Sequence, residues 1–216
     1  MRVLPMFPLG TVLLPGGVLP LQVFEPRYLE MTRRCLDGDR EFGVVLIERG
    51  YEVGGGDVRS SFGTVARIVA AQQMGSARWM LVTVGSQRIK VLRWLPDDPF
   101  PQAEVEPWDD PVDAPSPSGQ EYADLTALAR RVIAQAAEMG WGGMDATVDF
   151  PDDPRLGTHH IAALAPLGAF DKQRVLGTEG AAARAALLTS LLEEQRQLLD
   201  AALGPDGDAE GGPDEG

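Results

Sequence analysis

The chain is poor in the residues that carry most enzyme chemistry: among 216 residues there are one cysteine, two histidines and two lysines. Cys35 has no second cysteine to pair with, so an internal disulfide is excluded. With no partner at metal-ligand spacing, it is expected to pack as a small apolar side chain in a reducing compartment. His159 and His160 are adjacent, so on a helix they point about 100 degrees apart and cannot chelate one ion between them. No glycine precedes a lysine anywhere, which removes the phosphate-cradling P-loop, and Gly-x-Ser-x-Gly is absent, which removes the strained nucleophile turn of many hydrolases. A Ser-Lys dyad could draw only on Lys90 or Lys172. No apolar run approaches the roughly 18 residues that cross a bilayer. Pro5, Pro8 and Pro15 interrupt the opening before a secretory signal could form, so mature, cytoplasmic protein is expected from Met1 onward. No catalytic residue, cofactor or metal ligand emerges from these absences.

What is present is an ordinary globular balance of 44% hydrophobic and 24% charged residues, on a chain long enough to bury roughly 70% of its unfolded surface without a staple. The net charge is −13. Asp206, Asp208, Glu210, Asp214 and Glu215 crowd into the last thirteen residues with no cation among them, and without that tail the body still carries −8. Such acidity opposes a phosphate backbone, whose affinity rests on Lys and Arg displacing counterions. Arg88, Lys90 and Arg93 form the one local basic cluster on an expected strand.

Two regimes divide the chain. Residues 1–113 are rich in Val, Ile and Leu in short runs broken by Gly and Pro, the pattern of strands. Strands are expected at Gly10–Leu14, Leu19–Phe24, Phe42–Ile47, Gly63–Met74, Ala77–Val84, Gln87–Trp94 and Ala103–Val105. A turn is expected at Gly85-Ser86, and Arg88 and Lys90 should face outward opposite Ile89 and Val91. Pro26 suits the first turn of a helix running to about Asp37, with Tyr28, Leu29, Thr32, Cys35 and Leu36 inward. Closing so many short strands into a small barrel would remove exposed edges. Residues 114–203 are rich in Ala, Leu, Glu and Arg and should form a helical bundle. Apolar stripes run through Tyr122–Met139 and Leu187–Leu199, with shorter helices capped by Thr158 and by Asp171. Residues 204–216 read as a disordered acidic tail. The class is therefore α+β.

Few segments offer a recognition surface. Gly54-Gly55-Gly56 leads into Asp57, a carboxylate where a phosphate would sit, and reads as a hairpin tip. Asp152 and Asp153, between Pro151 and Pro154, read as a solvated turn. Trp141 and Met144 lie in a glycine-flanked loop whose composition fits a tucked hydrophobic cluster or an adaptable recognition surface.

Longer stretches carry a family likeness. The opening Phe7-Pro8-Leu9-Gly10-Thr11-Val12-Leu13-Leu14-Pro15-Gly16, followed by Leu19-Pro20-Leu21-Gln22-Val23-Phe24-Glu25-Pro26-Arg27-Tyr28, closely resembles the N-terminal substrate-binding domain of Lon proteases. The likeness continues through Phe42–Ile47, Gly63–Ile68, Phe100–Glu106, Asp153-Pro154, Pro166-Leu167 and Asp171–Leu176. It implies a PUA-like β-barrel followed by a helical bundle, in a standalone form without the ATPase and Ser-Lys peptidase domains, and so a non-enzymatic module. The partner it implies is an unfolded polypeptide or another protein, met in a groove between barrel and bundle, with a role as an adaptor or regulator of proteolysis. Phe24, Arg27, Tyr28, Trp141 and Met144 are the candidate contacts. Glu25, Pro26 and Tyr28 also have a structural role open to them, as the start of the helix and its packing on the barrel. PUA-like barrels also occur in RNA-binding proteins, so a nucleic-acid module is the alternative.

Overall fold

The computed structural model describes residues 1–49, 58–75, 78–140 and 149–202. Its elements run β1 (Arg2–Leu9), β2 (Val18–Val23), α1 (Pro26–Asp37), β3 (Glu41–Arg49), β4 (Val58–Gln73), β5 (Trp79–Leu95), β6 (Gln102–Pro107), α2 (Gly119–Glu138), α3 (Pro154–Leu164), α4 (Ala169–Gly177) and α5 (Ala181–Ala202). The sheet order is β2-β5-β4-β3-β1-β6, and β5 pairs with β6 as well, closing β5, β4, β3, β1 and β6 into a barrel with β2 appended outside. The expected α+β class, barrel first and helices second, is what the chain adopts.

β5 makes the closure possible. Its first half pairs with β2, its last with β6, and β4 runs along most of its length. The turn expected at Gly85-Ser86 does not exist, because this long strand continues through both residues. Gly85 sits where a Cβ would overlap the Leu14 carbonyl oxygen, so the glycine marks a close backbone approach rather than a reversal.

The strand expected at Gly10–Leu14 is also displaced, to Arg2–Leu9. β1 accommodates Pro5 and Pro8, because it pairs with β6 only over Arg2–Pro5 and with β3 only over Met6–Leu9. Each half therefore behaves as an edge, where a missing N–H is tolerated. The segment after it spans two cores instead of extending a sheet. Leu13 packs in the core that the sheet shares with α1, with Phe7, Phe42, Leu81 and Tyr28, whereas Leu14 joins the helical core with Leu125, Ile161 and Leu188.

Other expectations hold in detail. α1 begins at Pro26, ends before Gly38 and buries Tyr28, Leu29, Met31, Thr32 and Cys35. Each large apolar side chain there contributes about 1.5–3 kcal/mol. The Cys35 thiol is buried and its pKa is pushed up to about 12 by desolvation, as befits a packing residue. The continuous apolar run of β3 is buried from Phe42 to Ile47, between β1 and β4.

In the helical half, Ser118 and Glu121 form a capping box at the start of α2, which satisfies two of its unpaired backbone donors. α3 starts earlier than expected. Asp153, from the supposed solvated turn, caps it by accepting from Arg155 N at 2.9 Å. Thr158 is instead buried inside the helix and donates to the Pro154 carbonyl. Gly168, not Asp171, precedes α4, and Asp171 pairs with Arg174 one turn on. Gly157 lets α3 meet α2, because a side chain there would collide with the Tyr122 hydroxyl. That hydroxyl donates to Pro151 O at 2.6 Å.

Candidate functional site

Helix α4 places Phe170, Gln173, Arg174 and Gly177 on one face, at the i, i+3, i+4, i+7 spacing that makes a single helical stripe. This face does not turn wholly inward. With Leu46 and Glu48 of β3, Phe62 of β4 and Leu187 of α5, it lines a groove of about 680 Å³ between barrel and bundle. Phe170 is 68% exposed, a large ring left in water on the groove's rim. Gly177 lets the Phe62 ring lie close against α4: a Cβ there would sit 3.0 Å from Phe62 Cζ.

The groove's one deeply buried polar side chain is half satisfied. Gln173 is 8% exposed and donates through Nε2 to Ser60 Oγ at 2.8 Å, while its Oε1 is buried with no hydrogen-bond partner. An orphaned buried acceptor costs roughly 1–3 kcal/mol. Arg174, paired with Asp171 at 2.9 Å, supplies donors at the rim.

The sequence-predicted residues lie elsewhere. Phe24 follows β2 and is 55% exposed. It lies near an outer apolar face that includes Val18 and Pro20 on β2 and Met80 and Val82 on β5, where Pro20 pairs with Val82. Arg27 is half-buried, paired with Glu25 at 3.1 Å and stacked over Tyr28. Tyr28 is buried and stacks on Phe7 with centroids 4.1 Å apart, which gives it a packing role. Trp141 and Met144, like Gly54-Gly55-Gly56, lie outside the described residues. The structure therefore brings none of Phe24, Arg27 and Tyr28 into the groove. Phe170 and Gln173 were not singled out from sequence; the only signal for them was the spacing of Phe170, Gln173, Arg174 and Gly177 beside the Asp171–Leu176 family match.

The basic cluster on β5 is not an open patch. Arg88 is 4% exposed and turned into the junction with the helices, contrary to the expected alternation. It donates to the Leu176 and Thr178 carbonyls at 2.9 and 3.1 Å and to Asp110 at 2.6 Å. Lys90 lies over Trp108 and 3.7 Å from Glu179, and Arg93 pairs with Glu104. Lys172 donates to the Ala163 carbonyl at 3.0 Å, and its burial lowers its pKa. Among the described residues no group of three or more His, Cys, Asp or Glu side chains is placed to hold a metal ion, and no helix is long and apolar enough to cross a membrane.

Against known families, residues 3–194 match the model of the ATP-dependent protease La (LON) substrate-binding domain. The chain belongs to this family. As a LON substrate-binding domain it is 31% identical over 202 residues to Lon protease 2 of Myxococcus xanthus and 32% identical over 201 residues to the Lon protease of Anaeromyxobacter dehalogenans. Those alignments take in 92% and 91% of this chain but only 24% of each protease, so the chain spans about a quarter of their length. A further relative is the protein cereblon of Gallus gallus, 33% identical over 61% of this chain and 29% of that protein. Among solved structures, a Lon N-terminal domain protein from Xanthomonas campestris superposes with a TM-score of 0.65 at 26% identity, over 88% of this chain and 98% of that one. The N-terminal domain of a Mycobacterium avium complex Lon protease superposes at 0.62 with 16% identity, covering 89% and 99%, and so shares the fold.

Proposed function

We propose that this LON substrate-binding domain is a non-catalytic, cytoplasmic module that holds an unfolded stretch of polypeptide in the groove between barrel and bundle, presenting it to a separate protease. The observation that carries the reading is the groove itself, lined by Leu46, Phe62 and Leu187 and bearing on its rim the exposed ring of Phe170. An extended segment would place an apolar side chain against Phe62 and Leu187, while Arg174 meets a carbonyl. The family's own description as substrate-binding supports the choice of polypeptide.

Immobilised protein should retain chemically unfolded casein or a reduced, carboxymethylated bait and pass the native bait. Phe170→Asp should cut that retention at least tenfold without altering the unfolding midpoint, because the ring is exposed. Equal, negligible recovery of folded and unfolded bait refutes the reading. A nucleic-acid role would instead appear as salt-sensitive RNA retention lost on Arg93→Glu.

A further inference from the structure

α2 and α5 pack against each other and leave between them a second groove, of about 530 Å³. α2 contributes Glu121, Asp124, Leu125 and Leu128, at i, i+3, i+4 and i+7. α5 contributes Ala182, Ala186, Thr189 and Glu193, at i, i+4, i+7 and i+11. Each set is a single helical face. Leu187, which lines the first groove, follows Ala186 and so points about 100 degrees away from it round α5. The two grooves therefore use different faces of one helix.

The shape suits another helix. Leu125, Leu128 and Ala185 close the floor, exposed only 1%, 7% and 5%, whereas the more open wall of Ala182, Ala186 and Thr189 consists of small side chains. Space is thus left for large side chains brought by a partner. From Ala182 to Glu193 the lining extends about 16 Å, three helical turns. Backbone amides and carbonyls of both walls bond along their own helices, and the Thr189 hydroxyl donates to the Ala185 carbonyl at 3.0 Å. An extended segment would bring backbone groups that these walls do not satisfy, while a helix arrives with its own already paired.

The rim is acidic. The lining holds three carboxylates, Glu121, Asp124 and Glu193, and no Lys, Arg or His. Glu121 accepts from Ser118 N at 2.7 Å and Asp124 from Gln120 Nε2 at 2.8 Å, both neutral donors. Glu193 pairs with Arg196 at 2.9 Å, and Arg196 also meets Asp200 at 2.8 Å. The exposed Arg131 lies two turns beyond Asp124 on α2. With those three flanking charges counted, four carboxylates face two guanidiniums, an excess of two negative charges. That sign rejects residues 204–216 as the occupant, because their charged side chains are all acidic.

We infer that this groove docks an amphipathic helix of a partner protein, its apolar stripe seated on Ala182, Ala186 and Thr189 and its flanking lysines or arginines meeting Glu121, Asp124 and Glu193. A partner held here leaves the first groove open, so the inference does not rest on what that groove binds.

The probe is a fluorescent peptide of about 18 residues, with Leu on one helical face, Lys on its flanks and Ala elsewhere, titrated into the full chain and followed by anisotropy. One control carries Glu for every Lys, and another a central proline, which breaks the helix. The lysine peptide should bind at least about tenfold more tightly than either control, and more weakly as salt rises. Ala186→Arg fills and recharges the groove at an exposed helix position, so it should cost about tenfold in affinity without moving the unfolding midpoint. Asp124→Lys, also exposed, should weaken binding severalfold and flatten its salt dependence. Phe170→Asp should change nothing, which separates this site from the first groove. No binding, equal binding of either control, or affinity unmoved by Ala186→Arg overturns the assignment. Loss with Phe170→Asp overturns it by placing the peptide in the first groove, and a wild-type dimer that Ala186→Arg dissociates overturns the partner helix in favour of a second copy of this chain.

Discussion

Asp110→Asn would remove the negative charge that two buried arginines share while keeping the shape of the side chain. Arg88 comes from β5 and Arg184 from α5, exposed 4% and 0%. Asp110, on the connector between barrel and bundle, accepts from both and from Gly180 N at 2.9 Å. Removing one partner of a buried ion pair costs about 3–5 kcal/mol, because the surviving charge is left without compensation. Asparagine retains an acceptor oxygen, so a loss near the lower bound, about 3 kcal/mol, is expected. For a chain of this length that is a fall in Tm of roughly 6–12 °C. The pH dependence follows the same pairing. Burial alone would raise the Asp110 pKa, but hydrogen bonds from Arg184 and Gly180 and the charges of both arginines hold it well below the usual carboxylate range. A folded pKa below the unfolded one means the stabilisation is complete above about pH 5 and is lost as pH falls through the unfolded value near 3.9 toward the lower folded one. Urea unfolding of wild type and Asp110→Asn from pH 7 to pH 3 should therefore give curves that converge on the acid side. A loss under about 1 kcal/mol at pH 7, or a difference that does not shrink with acid, refutes the electrostatic account of this junction.

Gly85→Ala should cost at least the roughly 1–3 kcal/mol of an overpacked core, read from the urea midpoint, because its Cβ would overlap the Leu14 carbonyl; a neutral result would mean the two backbones part easily. Leu188→Ala, at a fully buried position of the helical core, should cost about 2–5 kcal/mol, measured by the same unfolding. Cys35 should resist thiol-reactive dyes in native protein at pH 8 and react fully in urea, because its pKa is raised to about 12 by burial; rapid native labelling would contradict its packing. His159, held neutral with its pKa lowered to about 3 by burial and by Arg184 and Arg88, makes stability present above the unfolded histidine pKa near 6.5 and lost as pH falls below it, at about 1 kcal/mol per pH unit. His159→Leu should flatten that slope between pH 6 and pH 5, leaving only the weaker contribution of His160, whose pKa burial also lowers.

Much of this molecule is legible in its pattern of residues. Pro26 and Gly38 bracket α1, the apolar run Phe42–Ile47 announces a strand, and the apolar stripe from Tyr122 to Met139 announces α2. Each signal is local, and local backbone chemistry decides it. The family likeness, carried by runs such as Phe7–Gly16, fixed barrel and bundle together.

Tertiary contacts decided the rest. Whether Gly85 turns the chain or carries a strand past another backbone depends on where Leu14 lies, seventy-one residues earlier in sequence. Arg88 looked like the outward member of an alternating strand; it is inward because α5 and the connector bring Arg184 and Asp110 to it. Phe170 and Gln173 become a surface only when β3, β4 and α5 supply the facing wall. Sequence by itself determined the order of a strand-rich half and a helical half and the family they belong to, and it marked elements such as α1 and β3 whose signals rest on neighbours a few residues away. Only the folded chain decided which polar groups are left without a partner, since that depends on what every other element has already satisfied.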